Sequence, residues 1–296
     1  MQILLTGGTG FIGSALVPAL LAKGHELVIL SRGNHPDTER CRFVSTLDAI
    51  DSSEVFDALI NLAGASLAAR RWTDTYKQEI VASRIDTTRD LLALVERLEH
   101  RPAVLLSASA IGYYGHSQDQ AFTEDSVPRE EGFAQALCRD WEAVASEASA
   151  LGLRVCLMRL GVVLDAGGGA LTEMARSFRF GVATWLGRGD QWLSWVHRDD
   201  VVAAILFLLA RDDLAGPFNL TAPVPVTARQ LCDALRGQHR TLFSLGAPAA
   251  PMRILLGEMA DELLLQGQRV LPEGLAASGF EFRYPDIDGA LVQIYR

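Results

Sequence analysis

The chain has 296 residues, of which 49% are hydrophobic and 21% charged, a composition typical of a folded globular protein. Its formal net charge of −9 argues against a nucleic-acid-binding surface, because phosphate neutralisation requires clustered lysine and arginine. Its apolar runs are too short to span a membrane and no signal peptide is recognisable, so we expect a cytoplasmic protein without membrane contacts. Cys41, Cys138, Cys156 and Cys232 lack close pairing and metal-ligand spacing, which predicts free thiols and no metal site.

A glycine-rich turn follows the first predicted strand. The apolar run Ile3-Leu4-Leu5 predicts a buried parallel strand, and apolar residues recur at helical spacing after the turn Thr6-Gly7-Gly8-Thr9-Gly10-Phe11-Ile12-Gly13. In this order Gly7 allows the tight turn, Gly10 lets the backbone approach a pyrophosphate, and Gly13 lets the helix pack on the strand. The turn therefore predicts a dinucleotide site, whose phosphates face free N–H groups and the positive end of the helix dipole.

The second predicted strand, Glu26–Leu30, ends at Ser31 and Arg32. In the NAD-specific form of this arrangement, an acidic residue roughly 20 residues beyond the glycines binds the ribose 2′-hydroxyl. Ser31 and Arg32 occupy that place, and a guanidinium there would pair with a 2′-phosphate. A solvated arginine at a strand end is the alternative. The pattern favours NADP over NAD.

Strands and helices alternate through the first 165 residues. The predicted strands are Asp57–Asn61, Val104–Leu106 and Arg154–Met158, and the predicted helices are Asp74–Glu99, capped by Asp74, and Ala134–Ala150. This alternation predicts a parallel sheet with right-handed crossovers and helices on both faces. The segment Leu62-Ala63-Gly64 follows one strand, and its small residues fit a cofactor lying at that edge, although they are also typical of a tight turn.

The pattern changes near residue 165. Gly167-Gly168-Gly169 interrupts the chain, and Thr184–Trp195 has no clear periodicity. A helix is predicted over Val201–Ala210, with Asp199 or Asp200 as its favoured cap; His197 braces the turn and is the alternative cap. We therefore predict an α/β fold: a Rossmann-type doubly wound parallel sheet over residues 1–165. Residues 166–296 would add late sheet elements and a smaller, interleaved C-terminal substrate lobe.

Four motifs of the chain resemble the extended short-chain dehydrogenase/reductase superfamily: the glycine turn, Asn61-Leu62-Ala63-Gly64, Ser107-Ala108-Ser109 and His197-Arg198-Asp199-Asp200-Val201. More narrowly, the chain resembles an atypical subgroup labelled "epimerase family", with nucleoside-diphosphate-sugar epimerase-like names. This likeness runs essentially from end to end. Its motifs are Arg71-Trp72-Thr73, Ser83-Arg84-Ile85, Gly112-Tyr113-Tyr114-Gly115, Cys138-Arg139-Asp140-Trp141-Glu142, the block from Gly267 to Pro272 and the block from Gly279 to Arg283.

The resemblance implies an NADP(H)-binding protein. By analogy with superfamily relatives it also implies a homodimer. The cofactor contacts predicted from the residues and from the resemblance together are Gly7, Thr9, Gly10, Phe11, Ile12, Gly13, Ser31, Arg32, Leu62, Ala63, Glu79, Arg84 and Val163.

The proton-transfer pair of active superfamily members is missing. That pair is Tyr-x-x-x-Lys on the helix after the serine motif, where the ammonium lowers the phenol pKa from about 10 toward the working pH. This chain has only two lysines, Lys23 and Lys77, and none of its tyrosines is followed by lysine four residues later. Counting back from Glu142, the pair would fall near Ala134 and Cys138.

Substitutes for the missing pair exist in the sequence. Ser109 could orient a polar substrate group, Tyr113 or Tyr114 could donate a proton, and Arg139 or Arg71 could supply positive charge. The ordinary alternatives are a backbone-bonded hydroxyl for Ser109 and wall residues for the tyrosines. Two functions follow: an NADP(H)-dependent oxidoreductase or epimerase-like enzyme acting on a small polar substrate such as a sugar nucleotide, or a non-catalytic NADP(H)-binding or redox-sensing module.

Overall fold

A computed structural model describes residues 1–129 and 132–296 of the chain. Its strands, in chain order, are β1 (Gln2–Thr6), β2 (Glu26–Leu30), β3 (Cys41–Val44), β4 (Ala58–Asn61), β5 (Val104–Ala110), β6 (Ala121–Phe122), β7 (Arg154–Leu160), β8 (Val162–Leu164), β9 (Val182–Leu186), β10 (Trp192–Leu193), β11 (Trp195–His197), β12 (Gly216–Leu220), β13 (Val226–Thr227), β14 (Phe243–Ala247) and β15 (Arg269–Val270).

The helices lie between and after these strands. They are α1 (Gly13–Ala22), α2 (Asp74–Arg97), α3 (Gly132–Ser146), α4 (Gly169–Met174), α5 (Arg198–Leu209), α6 (Ala228–Gln238), α7 (Ala249–Leu256), α8 (Glu258–Ala260), α9 (Glu273–Ala277) and α10 (Ile287–Ile294). A π-helical turn, Asp261–Leu265, continues α8, and short 3₁₀ turns cover Leu47–Ala49, Ile111–Tyr114, Glu147–Leu151 and Arg176–Phe180.

Seven strands form one fully parallel sheet in the order β3-β2-β1-β4-β5-β7-β12. The strand order reverses between β1 and β4, and ligands of open α/β sheets bind beyond the carboxyl ends of the strands at such a switch point. The predicted Rossmann-type doubly wound fold is confirmed. The structure adds β3, which the sequence did not predict, and it extends β5 to Ala110. The predicted division near residue 165 stays a prediction, while β12 contributes a late strand to the sheet.

Both faces of the sheet are buried, as the alternation of strands and helices predicts. Ile3 and Leu5 pack on one face with helices α1 and α5, while Leu4 packs on the other with α2 and α3. Each fully buried leucine or isoleucine stabilises the fold by roughly 1.5–3 kcal/mol. A separate apolar cluster, including Trp195, Leu231 and Leu291, lies in the C-terminal part.

Two helix starts differ from the favoured prediction, although His197 was the alternative cap for the second. Helix α2 is capped by Thr73, whose hydroxyl accepts the N–H of Tyr76, and not by Asp74. Helix α5 is capped by His197, whose Nδ1 accepts the N–H of Asp199 at 3.0 Å, and not by an aspartate. An aspartate was expected because its carboxylate is the commoner cap, but here the imidazole is in reach and Asp200 is engaged elsewhere.

The buried Asp200 ties helix α5 to the C-terminal segment of the chain. Its two carboxylate oxygens accept the backbone N–H groups of Arg283 and Tyr284, each at 2.9 Å. Because Asp200 is buried, desolvation raises the pKa of its carboxyl, although the two N–H donors oppose this rise.

Candidate functional site

The glycine turn has a backbone that only glycine fits at two positions. Gly7 has a φ of +71°, and a Cβ there would lie 2.4 Å from the carbonyl oxygen of Leu62. A Cβ on Gly13 would lie 2.3 Å from the carbonyl oxygen of Gly7. The tight turn at Gly7 and the close helix packing at Gly13 are therefore confirmed.

The same turn presents free donors at the start of helix α1. The backbone N–H groups of Phe11, Ile12 and Gly13 make no hydrogen bond to any described residue. Thr9 and Gly10 are exposed, and a Cβ on Gly10 would meet only the carbonyl oxygen of Gly7, at 3.2 Å. Unpaired N–H groups at a helix N-terminus form a ready anion site.

Ser31 and Arg32 lie next to this turn. Thr6 pairs with Leu30 in the sheet, so the residues that follow β1 and β2 run side by side. Ser31 is buried and its Oγ accepts the N–H of Gly33 at 3.2 Å. Arg32 is exposed and has no ion-pair partner among residues 1–129 and 132–296. Its guanidinium is therefore available for a ligand beside the turn.

A buried hydrogen-bond chain fixes the end of β4. The hydroxyl of Thr6 donates to Asn61 Oδ1 at 2.6 Å, and Asn61 Nδ2 donates to the hydroxyl of Thr88 at 2.9 Å. The N–H of Ala63 donates to Thr6 Oγ1 at 3.2 Å. This chain holds the backbone of Leu62 and Ala63 at the carboxyl edge of the sheet. The polar Asn61 in an apolar strand was the sequence signal for it.

A cavity of about 1000 Å³ lies beyond the carboxyl ends of β4, β5 and β7, beneath the C-terminal helices. Sequence-predicted residues on its wall include Leu62, Ala63, Arg84, Ser109 and Val163. Its remaining wall includes Gly112, Ala134, Gln135, Cys138, Trp185, Trp192, Leu231, Met252, Met259, Leu263 and Gln268.

Of the two candidates on helix α2, the structure brings only Arg84 to this cavity. Arg84 Nη2 donates to the carbonyl oxygen of Ala65 at 3.0 Å, and its guanidinium lies 5.4 Å from the centre of the Trp141 ring. Desolvation by burial lowers the pKa of Arg84. Glu79 is exposed, lies 3.5 Å from Arg70 and is not part of the cavity wall.

A buried network joins Ser109 to β7. The hydroxyl of Ser109 donates to Glu142 Oε1 at 2.6 Å. Arg159 donates to both carboxylate oxygens of Glu142, from Nε and Nη2, each at 2.8 Å. Arg159 Nη1 donates to the hydroxyl of Tyr114 at 2.8 Å, and that hydroxyl donates to Asn219 Oδ1 at 2.7 Å. Strands β5, β7 and β12, helix α3 and the 3₁₀ turn Ile111–Tyr114 are thus joined around one buried ion pair.

The environment of this network holds each group in one protonation state. Burial raises the pKa of Tyr114 to about 12, so its phenol stays neutral across the physiological range. Burial by itself would lower the pKa of Arg159, but its hydrogen bonds to Glu142 outweigh that effect and raise it. The Arg159 guanidinium also lies 3.6 Å from the centre of the Tyr113 ring.

Of the predicted catalytic residues, only Ser109 lies on the cavity wall. Tyr114 is fully buried with its hydroxyl engaged, which argues against a proton-donor role, and Tyr113 packs on the Arg159 guanidinium. Arg139 is exposed and its Nε lies 3.1 Å from Asp140, so it is a surface charge of helix α3. Arg71, the other candidate charge, is exposed beside Gly257.

The places expected for the missing pair do reach the cavity. Ala134 and Cys138 both lie on its wall, where their side chains offer no proton-transfer group at ordinary pH. Burial raises the pKa of the Cys138 thiol to about 12. Glu142, Arg159 and Asn219 were not predicted from the sequence; a glutamate and an arginine inside apolar segments were the available signal.

Residues 1–129 and 132–296 lack two features that would indicate other functions. No helix in these ranges combines the length and apolarity needed to cross a membrane. Nor do these ranges contain a group of three or more histidine, cysteine, aspartate or glutamate side chains arranged for a metal ion. All four cysteines are free and buried.

The sequence matches two family models. Residues 3–220 match the NAD dependent epimerase/dehydratase family. Residues 247–294, which include helices α7 and α10, match a domain of unknown function (DUF1731).

Similar proteins cover the whole chain. The Epimerase family protein YfhF of Bacillus subtilis is 38% identical over an alignment of 301 residues, which covers 99% of this chain and 98% of the relative. The crystal structure of the human epimerase family protein SDR39U1 with NADPH has a TM-score of 0.87 and 31% identity, and covers 100% of this chain and 99% of that one. A nucleoside-diphosphate sugar epimerase from Corynebacterium glutamicum has a TM-score of 0.78 and 30% identity, over 100% of this chain and 58% of that one.

Proposed function

The chain belongs to the NAD dependent epimerase/dehydratase family, and from this premise we propose that it is an NADP(H)-dependent, epimerase-like oxidoreductase. The observation that carries the proposal is the turn from Gly7 to Gly13. Gly7 and Gly13 leave no room for a side chain, and the free N–H groups of the turn point to an anionic ligand. The NADPH bound to the human relative supports this assignment.

The residues that would hold the cofactor lie along one edge of the sheet. The N–H groups of Phe11 and Ile12 would bind the pyrophosphate, and Arg32 with Ser31 would bind the 2′-phosphate. The backbone of Leu62 and Ala63, with Val163 and Arg84, would border the nicotinamide half. NADP(H), when bound, supplies hydride transfer. Glu79 would need to leave Arg70 to take part.

Ser109 offers one defined polar contact to a substrate. Its hydroxyl proton is donated to Glu142, so its oxygen presents only lone pairs to the cavity. Ser109 would therefore accept a hydrogen bond from a substrate hydroxyl and would not donate one to a carbonyl. Glu142 and Arg159 hold it in this orientation. The homodimer and the small-molecule partner stay predictions.

One observation favours a second candidate, the non-catalytic NADP(H)-binding or redox-sensing module. Ala134 and Cys138 stand where a proton-transfer pair would be, and the tyrosines near the site are engaged in packing. This function requires selective binding of one redox form and no turnover. Titration of NADPH and NADP⁺, together with a screen of alcohols and carbonyl compounds, separates it from the first.

Both candidate functions require NADP(H) binding, which is tested by equilibrium titration of the protein with NADPH and with NADH. We expect wild type to bind NADPH about tenfold to a hundredfold more tightly than NADH, because charge-assisted hydrogen bonds contribute about 1.5–3 kcal/mol. Arg32→Ala should lose this preference through weaker NADPH binding alone. Arg89→Ala, an exposed arginine beside Asp86 on helix α2, is the matched control. Equal affinity of wild type for both cofactors would contradict the NADP assignment.

A further inference from the structure

The wall that the C-terminal part contributes to the cavity is mainly apolar. Helix α6 supplies Leu231 and Leu235, helix α7 supplies Met252 and Leu256, and Leu263 follows in the π-helical turn. The unbranched side chain of methionine adapts to apolar ligands, and burial of methionine and leucine side chains against a ligand is favourable in proportion to the apolar area covered.

The charges on the cavity wall do not suit a diphosphate. Among the described residues of the wall, Arg84 is the only lysine or arginine, and it lies against Gly64 on the cofactor side. Two carboxylates, Glu173 and Glu262, belong to the wall as well. Diphosphates are held by arginine or lysine pairs or by free backbone N–H groups, so this wall offers a diphosphate little beyond the cofactor site.

The two long helices that begin at this wall have their N-termini already satisfied. The N–H groups of Phe133 and Ala134, at the start of α3, donate to the carboxylate of Glu262 at 2.9 and 2.8 Å. Helix α6 starts with a capping box between Thr227 and Gln230. A phosphate would have to displace these partners before it could use either helix dipole.

Two buried amides on the wall lack a partner. Gln135 is 3% exposed and Gln268 is 8% exposed, and both line the cavity. Neither side-chain amide makes a hydrogen bond within the part of the chain that the structure describes. Neither amide is among the fully buried polar atoms that lack a partner, so both reach the open cavity, where a neutral polar group of a ligand would supply a hydrogen-bond partner.

We propose that this cavity binds an uncharged molecule with a mainly apolar body and one or two hydroxyl, carbonyl or amide groups, and not a nucleoside-diphosphate sugar. The assignment rests on the proposed function, in that the cofactor completes the site beside Ser109. The apolar body lies against Met252 and Leu263, and the neutral polar groups pair with Gln135 and Gln268.

The test is a ligand-binding series that needs no turnover. 1-Alkanols from butanol to decanol are titrated into the protein saturated with NADPH, a pairing in which no hydride can move, and again into the protein alone. UDP-glucose is titrated in parallel. We expect affinity to rise about fourfold for each added methylene until the cavity is filled, and UDP-glucose to bind more weakly than octanol.

Two variants of helix α7 test whether the alkanols bind at this cavity wall. Met252→Glu places a charge on the cavity wall and should weaken octanol binding about tenfold or more. Ile254→Glu on the same helix is the control, because Ile254 is 79% exposed and should leave octanol binding unchanged. Leu263→Gln is a second, milder cavity variant, and each variant is first checked for unchanged NADPH binding.

The outcomes separate this inference from the proposed function. Absence of NADPH binding by wild type would refute the proposed function, while the alkanol series on the protein alone still tests the inference. NADPH binding together with an affinity independent of chain length, or with tighter binding of UDP-glucose than of octanol, would overturn the inference alone. Equal losses in Met252→Glu and Ile254→Glu would overturn it as well.

Discussion

The ion pair between Glu142 and Arg159 gives the sharpest stability prediction. Their side chains are only 7% and 4% exposed, and two hydrogen bonds of 2.8 Å join them. Removing one partner of a buried pair leaves the other charge uncompensated, which costs about 3–5 kcal/mol. Glu142→Gln keeps the shape of the side chain and one acceptor for Ser109. We therefore expect the free energy of unfolding to fall by the lower end of that range, about 3 kcal/mol. That is a large share of the roughly 5–15 kcal/mol that stabilises a typical domain.

Urea unfolding followed by tryptophan fluorescence measures this loss, as a lower midpoint at constant slope. Asp140→Asn is the matched control, because Asp140 forms a half-exposed pair with Arg139 on the same helix, worth about 0–1 kcal/mol. The double variant Glu142→Leu/Arg159→Met should be more stable than Glu142→Gln, since it removes both charges together. A loss for Glu142→Gln no larger than that of Asp140→Asn would refute this account of the network.

Three further predictions concern the turn, the thiols and His197. Gly13→Ala should lower NADPH affinity at least tenfold because its Cβ would meet the Gly7 carbonyl, whereas Gly237→Ala, in open space on α6, should leave it unchanged in the same titration. At pH 8 a thiol reagent should label none of the four cysteines in the native protein within minutes and all four in denaturant, since burial raises the pKa of each thiol; rapid native labelling would contradict this. Burial lowers the pKa of His197, so the unfolded state binds its proton first and stability should fall below pH 6.5, by up to about 1.4 kcal/mol per pH unit. His197→Asn keeps a capping side chain and should reduce this slope in urea unfolding between pH 7 and pH 5; an unchanged slope would count against the assignment.

The sheet could be predicted because its determinants are local. Glu26–Leu30 has the same bounds in the sequence prediction and in the structure, and Gly24, just beyond the end of α1, has a φ of +84°, which favours glycine. Strand β3 was not predicted because Cys41–Val44 is only four residues long and forms a strand through its pairing with β2. Tertiary contact, not local pattern, decides such a strand.

The interior of the site could not be predicted in the same way. Glu142, Arg159 and Asn219 belong to a helix and two strands that are distant in sequence, and only the packed sheet brings them to Tyr114. The sequence therefore placed Tyr114 among proton donors, whereas the structure engages its hydroxyl in the core. The apolar wall of the cavity could not be predicted for a related reason. Which side chains of residues 249–265 face the cavity depends on how this segment packs on the rest of the chain.

A crystal structure of the protein with NADPH tests the assignment of the NADP(H) site most directly. In that structure we expect the pyrophosphate on the N–H groups of Phe11 and Ile12, the 2′-phosphate at Arg32, and the nicotinamide in the cavity beside Ser109. A cofactor bound away from the glycine turn, or a 2′-phosphate that no cation contacts, would contradict it.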